Sequence, residues 1–314
     1  MTQIIAFCSQ ISITDQQRWL TELNRLLVDV RVISFQHLSN TEKQKVQIAI
    51  VANPKIADLN ELKNLQWIQS LWSGVEKLVS QFSNKQIKII RMIDPKLSHN
   101  MAEAVLTFTL FLHRNIATYI KQQSEQIWLP HKLVDSNKRH VGILGLGELG
   151  KASALKLLEN DFNVSGWSRS PKRMKNVHCL NGEGGFIEIM KKSEILICLL
   201  PLTNKTQNLL NKRTLGLLPK GASLINFSRG HIINEKDLLD CLNKHHLKHA
   251  VLDVFNSEPL PGDHPFWQSS KITVLPHISA PTDVHSASII VAKNIKKYLE
   301  LGEIPHSISR SKGY

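Results

Sequence analysis

The sequence predicts an α/β protein with a doubly wound parallel sheet, and three observations lead there. Short apolar runs alternate with helix-like stretches along most of the chain. A G-x-G-x-x-G segment, Gly145 to Gly150, follows a strand pattern and precedes a helix pattern. Ionisable residues stand just beyond three successive strand candidates in the last third.

In chain order, IIAFC at 4–8 reads as a strand, a helix opens at Thr14 with Gln17 three residues on, and VRVIS at 30–34 and VQIAIVAN at 46–53 read as further strands. Asn100 as N-cap with Glu103 at N3 starts one long helix to about Tyr119, suited to join two domains. After a polar interval at 131–140, a second alternating series runs to about residue 285. Its strand candidates are HVGILG, NVSGWS, EILICLL, ASLINFS, HAVLDVF and KITVL, the content of a dinucleotide-binding sheet. From about Ser286 to Leu301 a last helix is expected to return to the first domain.

At 314 residues the chain exceeds what one hydrophobic core usually serves, so two domains are expected. Its four cysteines, Cys8, Cys179, Cys198 and Cys241, form no CxxC pair, which fits a reducing, cytoplasmic compartment and no metal site. MTQIIAFCSQ lacks the features of a secretory signal, and no run approaches the roughly 18 apolar residues of a membrane span, so no membrane partner is expected. A net charge of +13 and a pI near 9.6 suit an anionic partner. The basic residues are spread out, with only short clusters such as Lys172, Arg173 and Lys175, and no nucleic-acid recognition motif is present, so no nucleic acid partner is expected.

In the glycine motif, the backbone of Gly145, Gly147, Glu148, Leu149 and Gly150 is placed to cradle a pyrophosphate at a helix N-terminus. The next strand ends in Gly166-Trp167-Ser168-Arg169-Ser170-Pro171-Lys172, with Ser168 lying 23 residues past Gly145. An acid that would read the ribose hydroxyl of NAD is missing there, and Arg169 can hold a 2′-phosphate beside Ser168 and Ser170. NADPH is therefore favoured, with NADH as the alternative.

Ligands of an open parallel sheet lie beyond the carboxyl ends of its strands. ASLINFS is followed by Arg229, HAVLDVF by Glu258 and KITVL by His277. An arginine can grip a carboxylate and polarise the adjacent carbonyl, a histidine can protonate the forming alkoxide, and a carboxylate can keep the imidazole charged and oriented. Taken singly each is weak, since the chain has 14 histidines and many surface cations. Their common placement gives them weight.

Several ordered motifs now add up: LWSGVEKL at 71–78, HVGILGLGELGK, ICLLPLTNKT at 197–206, INFSRGHIINEKDLL at 225–239, LDVFNSEPLPGDHPFW at 252–267 and LPHISAPT at 275–282. Over nearly its whole length the chain resembles the D-2-hydroxyacid dehydrogenase family. Its WSRSPK turn and EPLPGDHPFW look most like the glyoxylate/hydroxypyruvate reductase A branch. The resemblance implies that Arg229 binds a small 2-oxo acid, His277 is the general acid and Glu258 its partner. It also implies that amides near Ser73, Gly74 and Val75 hold the substrate carboxylate, that Pro201 and Thr206 lie beside the cofactor, and that Asp253 meets the nicotinamide carboxamide.

The implied fold is a discontinuous pair. A flavodoxin-like substrate domain takes residues 1–100 and 287–314, a dinucleotide-binding domain takes 101–286, and the region of the long helix forms a homodimer interface. Two stretches depart from the branch's pattern: Ala52-Asn53-Pro54, where relatives often carry an aromatic residue, and Ser279-Ala280-Pro281-Thr282 after the histidine. The alternatives are another specificity within the family, such as phosphoglycerate, formate or D-lactate, and a cofactor-sensing, corepressor-like binding protein.

Overall fold

Runs that are apolar at every position, such as IAIVA and ILIC, form strands buried on both faces, as a parallel sheet covered by helices requires. The computed structural model describes residues 3–310 apart from 83 and 85. The chain divides into two compact units, Met1–Lys96 with Thr282–Tyr314, and Leu97–Pro281.

The first unit opens with β1 (Gln3–Ser9), α1 (Ile13–Leu26), β2 (Val30–Ser34), α2 (Asn40–Lys43) and β3 (Ile48–Ala52). It continues through α3 (Ile56–Glu61), β4 (Trp67–Ser70), α4 (Glu76–Gln81) and β5 (Lys88–Ile90). Its strands are all parallel in the order β2-β1-β3-β4-β5, the flavodoxin-like order. α1 begins one residue before the expected Thr14, because Ser12 is the cap: its hydroxyl accepts from the Asp15 amide at 3.1 Å and donates to the Asp15 carboxylate at 2.6 Å.

The single helix expected from Asn100 to about Tyr119 is instead two, α5 (Pro95–His113) and α6 (Ile116–Ser124). The start lies earlier because Pro95 is set for a first helical position and the Asp94 carboxylate accepts the Lys96 amide at 2.8 Å. The break comes at Asn115, which adopts the left-handed conformation with φ 59°.

The second unit then runs through β6 (His140–Leu144), α7 (Glu148–Leu158), β7 (Asn163–Ser168), β8 (His178–Asn181), α8 (Gly182–Lys192) and β9 (Ile195–Cys198). It ends with α9 (Lys212–Leu215), β10 (Ala222–Asn226), α10 (Glu235–Asn243), β11 (Leu247–Leu252) and β12 (Ile272–Val274). Seven parallel strands lie in the order β12-β11-β10-β9-β6-β7-β8. The six expected strands are all present, and β8 is an added edge strand. Both faces are covered. Leu144, Leu196 and Leu224 pack with Phe186, Ile189, Leu238 and Leu242 on one side. Val141, Ile143, Ile197 and Ile225 pack with Met101, Val105, Ala154 and Leu157 on the other.

The last helix, α11 (Val284–Leu301), is capped by Asp283 and belongs to the first unit. Its Ala287, Val291, Ala292 and Ile295 join the core cluster of Trp19, Leu23, Ile48, Ile50 and Trp67. Asn294 donates to the buried Gln69 of β4 at 2.9 Å, so the side-chain carbonyl of that buried amide is satisfied.

Candidate active site

The phosphate loop has the local geometry that its glycines allow. Gly145 sits at φ 106°, and a Cβ there would lie 2.7 Å from the Leu199 carbonyl oxygen. Gly147 is the N-cap of α7, and a Cβ there would meet nothing within 4 Å. Glu148, Leu149 and Gly150 form the first turn of that helix, whose amides face a space left open at Gly147. An anion fits there, since backbone N–H groups and the helix dipole both favour negative charge.

At the end of β7, the Ser168 hydroxyl donates to the Ser170 carbonyl at 2.7 Å and so shapes the turn. Arg169, Ser170 and Lys172 are exposed on it, and no acid occurs from residue 168 to 175. After β9, the Thr206 hydroxyl donates to the Pro201 carbonyl at 2.7 Å and accepts from the Thr203 amide at 2.8 Å. Thr206 therefore holds the loop that carries Pro201.

Sheet order explains how the three ionisable residues meet: β10, β11 and β12 are consecutive neighbours, so their carboxyl ends lie side by side. His277 Nδ1 is 2.8 Å from Glu258 Oε2, and Glu258 Oε1 accepts the Phe255 amide at 2.9 Å. Arg229 approaches the same corner because Gly230 has no side chain; a Cβ there would fall 2.0 Å from the Phe255 carbonyl carbon. The Arg229 backbone is fixed by Asn226, whose side-chain amide donates to its carbonyl at 3.1 Å, and its own Nη1 donates to Ser228 O at 2.6 Å.

The electrostatics agree in direction. The hydrogen bond to Glu258 raises the His277 pKa above its ordinary value, burial opposes this in part, and the Glu258 and Asp253 charges add to the rise. Burial pushes the Glu258 carboxyl up, but the His277 and Phe255 hydrogen bonds and the charges of His277 and Arg229 outweigh it, leaving the carboxyl below its ordinary value. The pair is thus biased toward imidazolium and carboxylate.

One contact is invisible to sequence reasoning. His277 adopts φ 55°, an uncommon conformation for a residue with a side chain. It is held by the buried Asp253, whose two carboxylate oxygens accept the Ile278 and Ser279 amides at 2.7 and 2.9 Å. Asp253 therefore anchors the histidine loop, a task that a strand-end acid does not announce.

The remaining expected residues, Ser73, Gly74 and Val75, lie in the first unit between β4 and α4. There Arg91 Nη1 donates to Ser73 Oγ at 3.2 Å, and Trp72 Nε1 donates to Asn53 Oδ1 at 3.0 Å. A cavity of about 330 Å³ in the second unit lies at the opposite strand ends, beside Lys248, His249 and Lys271, and takes no part in this arrangement.

Residues 106–279 match a family model described as D-isomer specific 2-hydroxyacid dehydrogenase, NAD binding domain. The chain is 33% identical over 298 residues to a glyoxylate/hydroxypyruvate reductase A of Serratia proteamaculans, covering 93% of this chain and 94% of that protein. It is 32% identical to the protein of the same description from Yersinia enterocolitica, with the same coverage. Among solved structures, a D-isomer specific 2-hydroxyacid dehydrogenase from Xanthobacter autotrophicus Py2 in complex with NADPH and MES superposes with a TM-score of 0.94 at 32% identity, over 100% of both chains. An NADPH-dependent glyoxylate/hydroxypyruvate reductase from Sinorhizobium meliloti in complex with NADP and sulfate gives 0.91 at 25% identity, over 99% of this chain and 100% of that one.

Proposed function

The chain belongs to the D-isomer specific 2-hydroxyacid dehydrogenase family, and from that premise we propose that it reduces a small 2-oxo acid of the glyoxylate or hydroxypyruvate type with NADPH. The enzyme is an NADP-dependent 2-hydroxyacid dehydrogenase. The observation that carries the finer reading is the 2.8 Å His277–Glu258 pair at the carboxyl end of a dinucleotide-type sheet, with Arg229 on the neighbouring strand end.

Gly145, Gly147, Glu148, Leu149 and Gly150 would hold the pyrophosphate, and Ser168, Arg169 and Ser170 the 2′-phosphate. Pro201 and Thr206 would line the cofactor, and Asp253 would meet its carboxamide. When bound, the reduced nicotinamide supplies hydride to the carbonyl carbon. Arg229 grips the 2-oxo acid and polarises its carbonyl, while the amides of Ser73, Gly74 and Val75 take its carboxylate. His277 gives its proton to the oxygen as negative charge develops there. Glu258 keeps that imidazole charged and correctly turned. The first unit serves as the substrate domain and the second as the dinucleotide domain. NADPH oxidation measured against a panel of 2-oxo acids tests the proposal, which fails if glyoxylate and hydroxypyruvate are not turned over.

Two outcomes follow from single residues. Arg169→Asp is expected to lower the NADPH over NADH preference in kcat/KM by about tenfold or more, the worth of one charge-assisted pair. A parent enzyme that already prefers NADH would overturn the cofactor reading. Glu258→Gln removes the main cause of the raised His277 pKa. Because reduction needs the protonated imidazole, its rate declines as pH rises through that pKa, and in the variant the decline should begin at lower pH. An unmoved pH profile would separate Glu258 from the histidine's chemistry.

A cytoplasmic homodimer is also proposed. Among the described residues no helix is long and apolar enough to cross a membrane, and all four cysteines are unpaired. Trp128 is 99% exposed in a segment that also exposes Ile127, Leu129 and Leu133, which supports burial against a second copy. Sedimentation at the dimer mass is expected, and a monomer at micromolar concentration would refute it.

A further inference from the structure

We infer that Arg91 is a substrate-binding residue that forms, with the Ser73 hydroxyl and the loop amides of Ser73, Gly74 and Val75, a charged carboxylate clamp within the first unit. The inference rests on the 2-oxo acid reading above and adds to it a cation supplied by the substrate domain itself.

The backbone places the residue. β4 and β5 are neighbouring parallel strands with Gln69 opposite Ile90. Arg91 follows β5 directly, and the loop after β4 leads to Ser73. Next to both, the Met92 amide donates to the Trp72 carbonyl at 3.0 Å, fastening the two strand ends together. Arg91 is therefore delivered to Ser73 by main-chain geometry.

Among the described residues the chemistry of the guanidinium is unfinished. Arg91 is partly buried, and among the described residues its one hydrogen bond goes from Nη1 to the neutral Ser73 hydroxyl at 3.2 Å. Among the described residues no carboxylate lies within ion-pair distance of it. The other arginines of the unit are provided for: Arg18 is paired with Asp15, Arg25 with Glu22 and Arg31 with Glu42. Arg310 donates to the carbonyls of Phe82, Asn84 and Ile87. A guanidinium has five donors in a planar fork matched to a carboxylate, and a partly desolvated one is costly without an anion. Here an anion from outside the chain would complete it, beside amides already assigned to a carboxylate. The clamp would select a substrate by its negative charge, so neutral carbonyl compounds of the same size would be poor substrates.

The test uses Arg91→Gln, Arg91→Lys and Arg91→Ala in the full chain. Arg91→Gln is expected to raise KM for glyoxylate and hydroxypyruvate by about tenfold to a hundredfold, with a smaller effect on kcat, because a charge-assisted hydrogen bond is lost. NADPH affinity and Tm should stay near those of the parent, and Arg91→Lys should recover part of the KM. Guanidinium ion added to Arg91→Ala should restore activity, which a purely structural arginine would not allow. Oxamate, an unreactive carboxylate, is titrated calorimetrically into the NADPH-loaded parent and Arg91→Gln. A parent that turns over no 2-oxo acid sinks the functional reading, and the oxamate titration still decides on Arg91. Equal oxamate affinity in the two proteins, no oxamate binding by the parent, or a KM within twofold of the parent would overturn the inference. So would a raised KM accompanied by matching losses of Tm and NADPH affinity.

Discussion

His277→Ala is expected to lower kcat for 2-oxo acid reduction by about a hundredfold or more, the usual scale for a positioned general acid. NADPH should still bind, because the glycines proposed to hold its phosphates at the start of α7 are untouched. In the parent, reduction should weaken as pH rises through the raised His277 pKa, while oxidation of the hydroxy acid, which needs the neutral base, should strengthen. The variant should lose both limbs. The same shift is linked to folding: a raised histidine pKa contributes stability below the unfolded value of about 6.5, and that contribution disappears as pH rises through the folded value. Any Tm deficit of the variant should therefore narrow in alkaline solution. A folded His277→Ala enzyme that reduces glyoxylate at the parental rate would remove the histidine from the mechanism.

Arg229→Ala should show the other large effect, a fall in kcat/KM of about two to four powers of ten, since the two charge-assisted hydrogen bonds proposed to the substrate are each worth roughly 1.5–3 kcal/mol. Much of it should appear in KM. Arg229 also lowers the pKa of both Glu258 and His277 through its charge, so the variant's pH profile should move toward higher pH, opposite to the Glu258→Gln shift. Arg229→Lys keeps the charge and loses the fork; it should restore the pH profile more fully than KM. If NADPH affinity falls in step with substrate affinity, the residue is holding the loop together instead of meeting the substrate.

Much of this arrangement is legible before any coordinates. β2 and β7 coincide with the VRVIS and NVSGWS segments because local patterning and end signals agree there. The strand-end positions of Arg229, Glu258 and His277 follow from parallel topology once the strands are recognised. What escapes is of two kinds. β8 is a partly exposed edge strand, and β4 and β5 are only four and three residues long, so none carries a strong apolar run. The Asp253 clamp and the Arg91–Ser73 contact join residues 25 and 18 positions apart through tertiary geometry, for which local pattern has no signature. The long helix divides at Asn115 for a similar reason: a left-handed residue is permitted by its side chain but not announced by it.

The return of α11 to the first unit has a consequence for how the chain reaches its native state. Glu22 of α1 pairs with His285 of α11 across 263 positions, and Trp19 and Leu23 share a cluster with Val291 and Ile295. During synthesis α1 emerges early and can pack on the neighbouring strands, yet the cluster it belongs to is completed only when α11 is made. The second unit is one uninterrupted stretch, Leu97–Pro281, and all the strands of its sheet are available sooner. The first unit is thus completed only after the strands of the second are available, and the long loop closure it requires is expected to slow its folding.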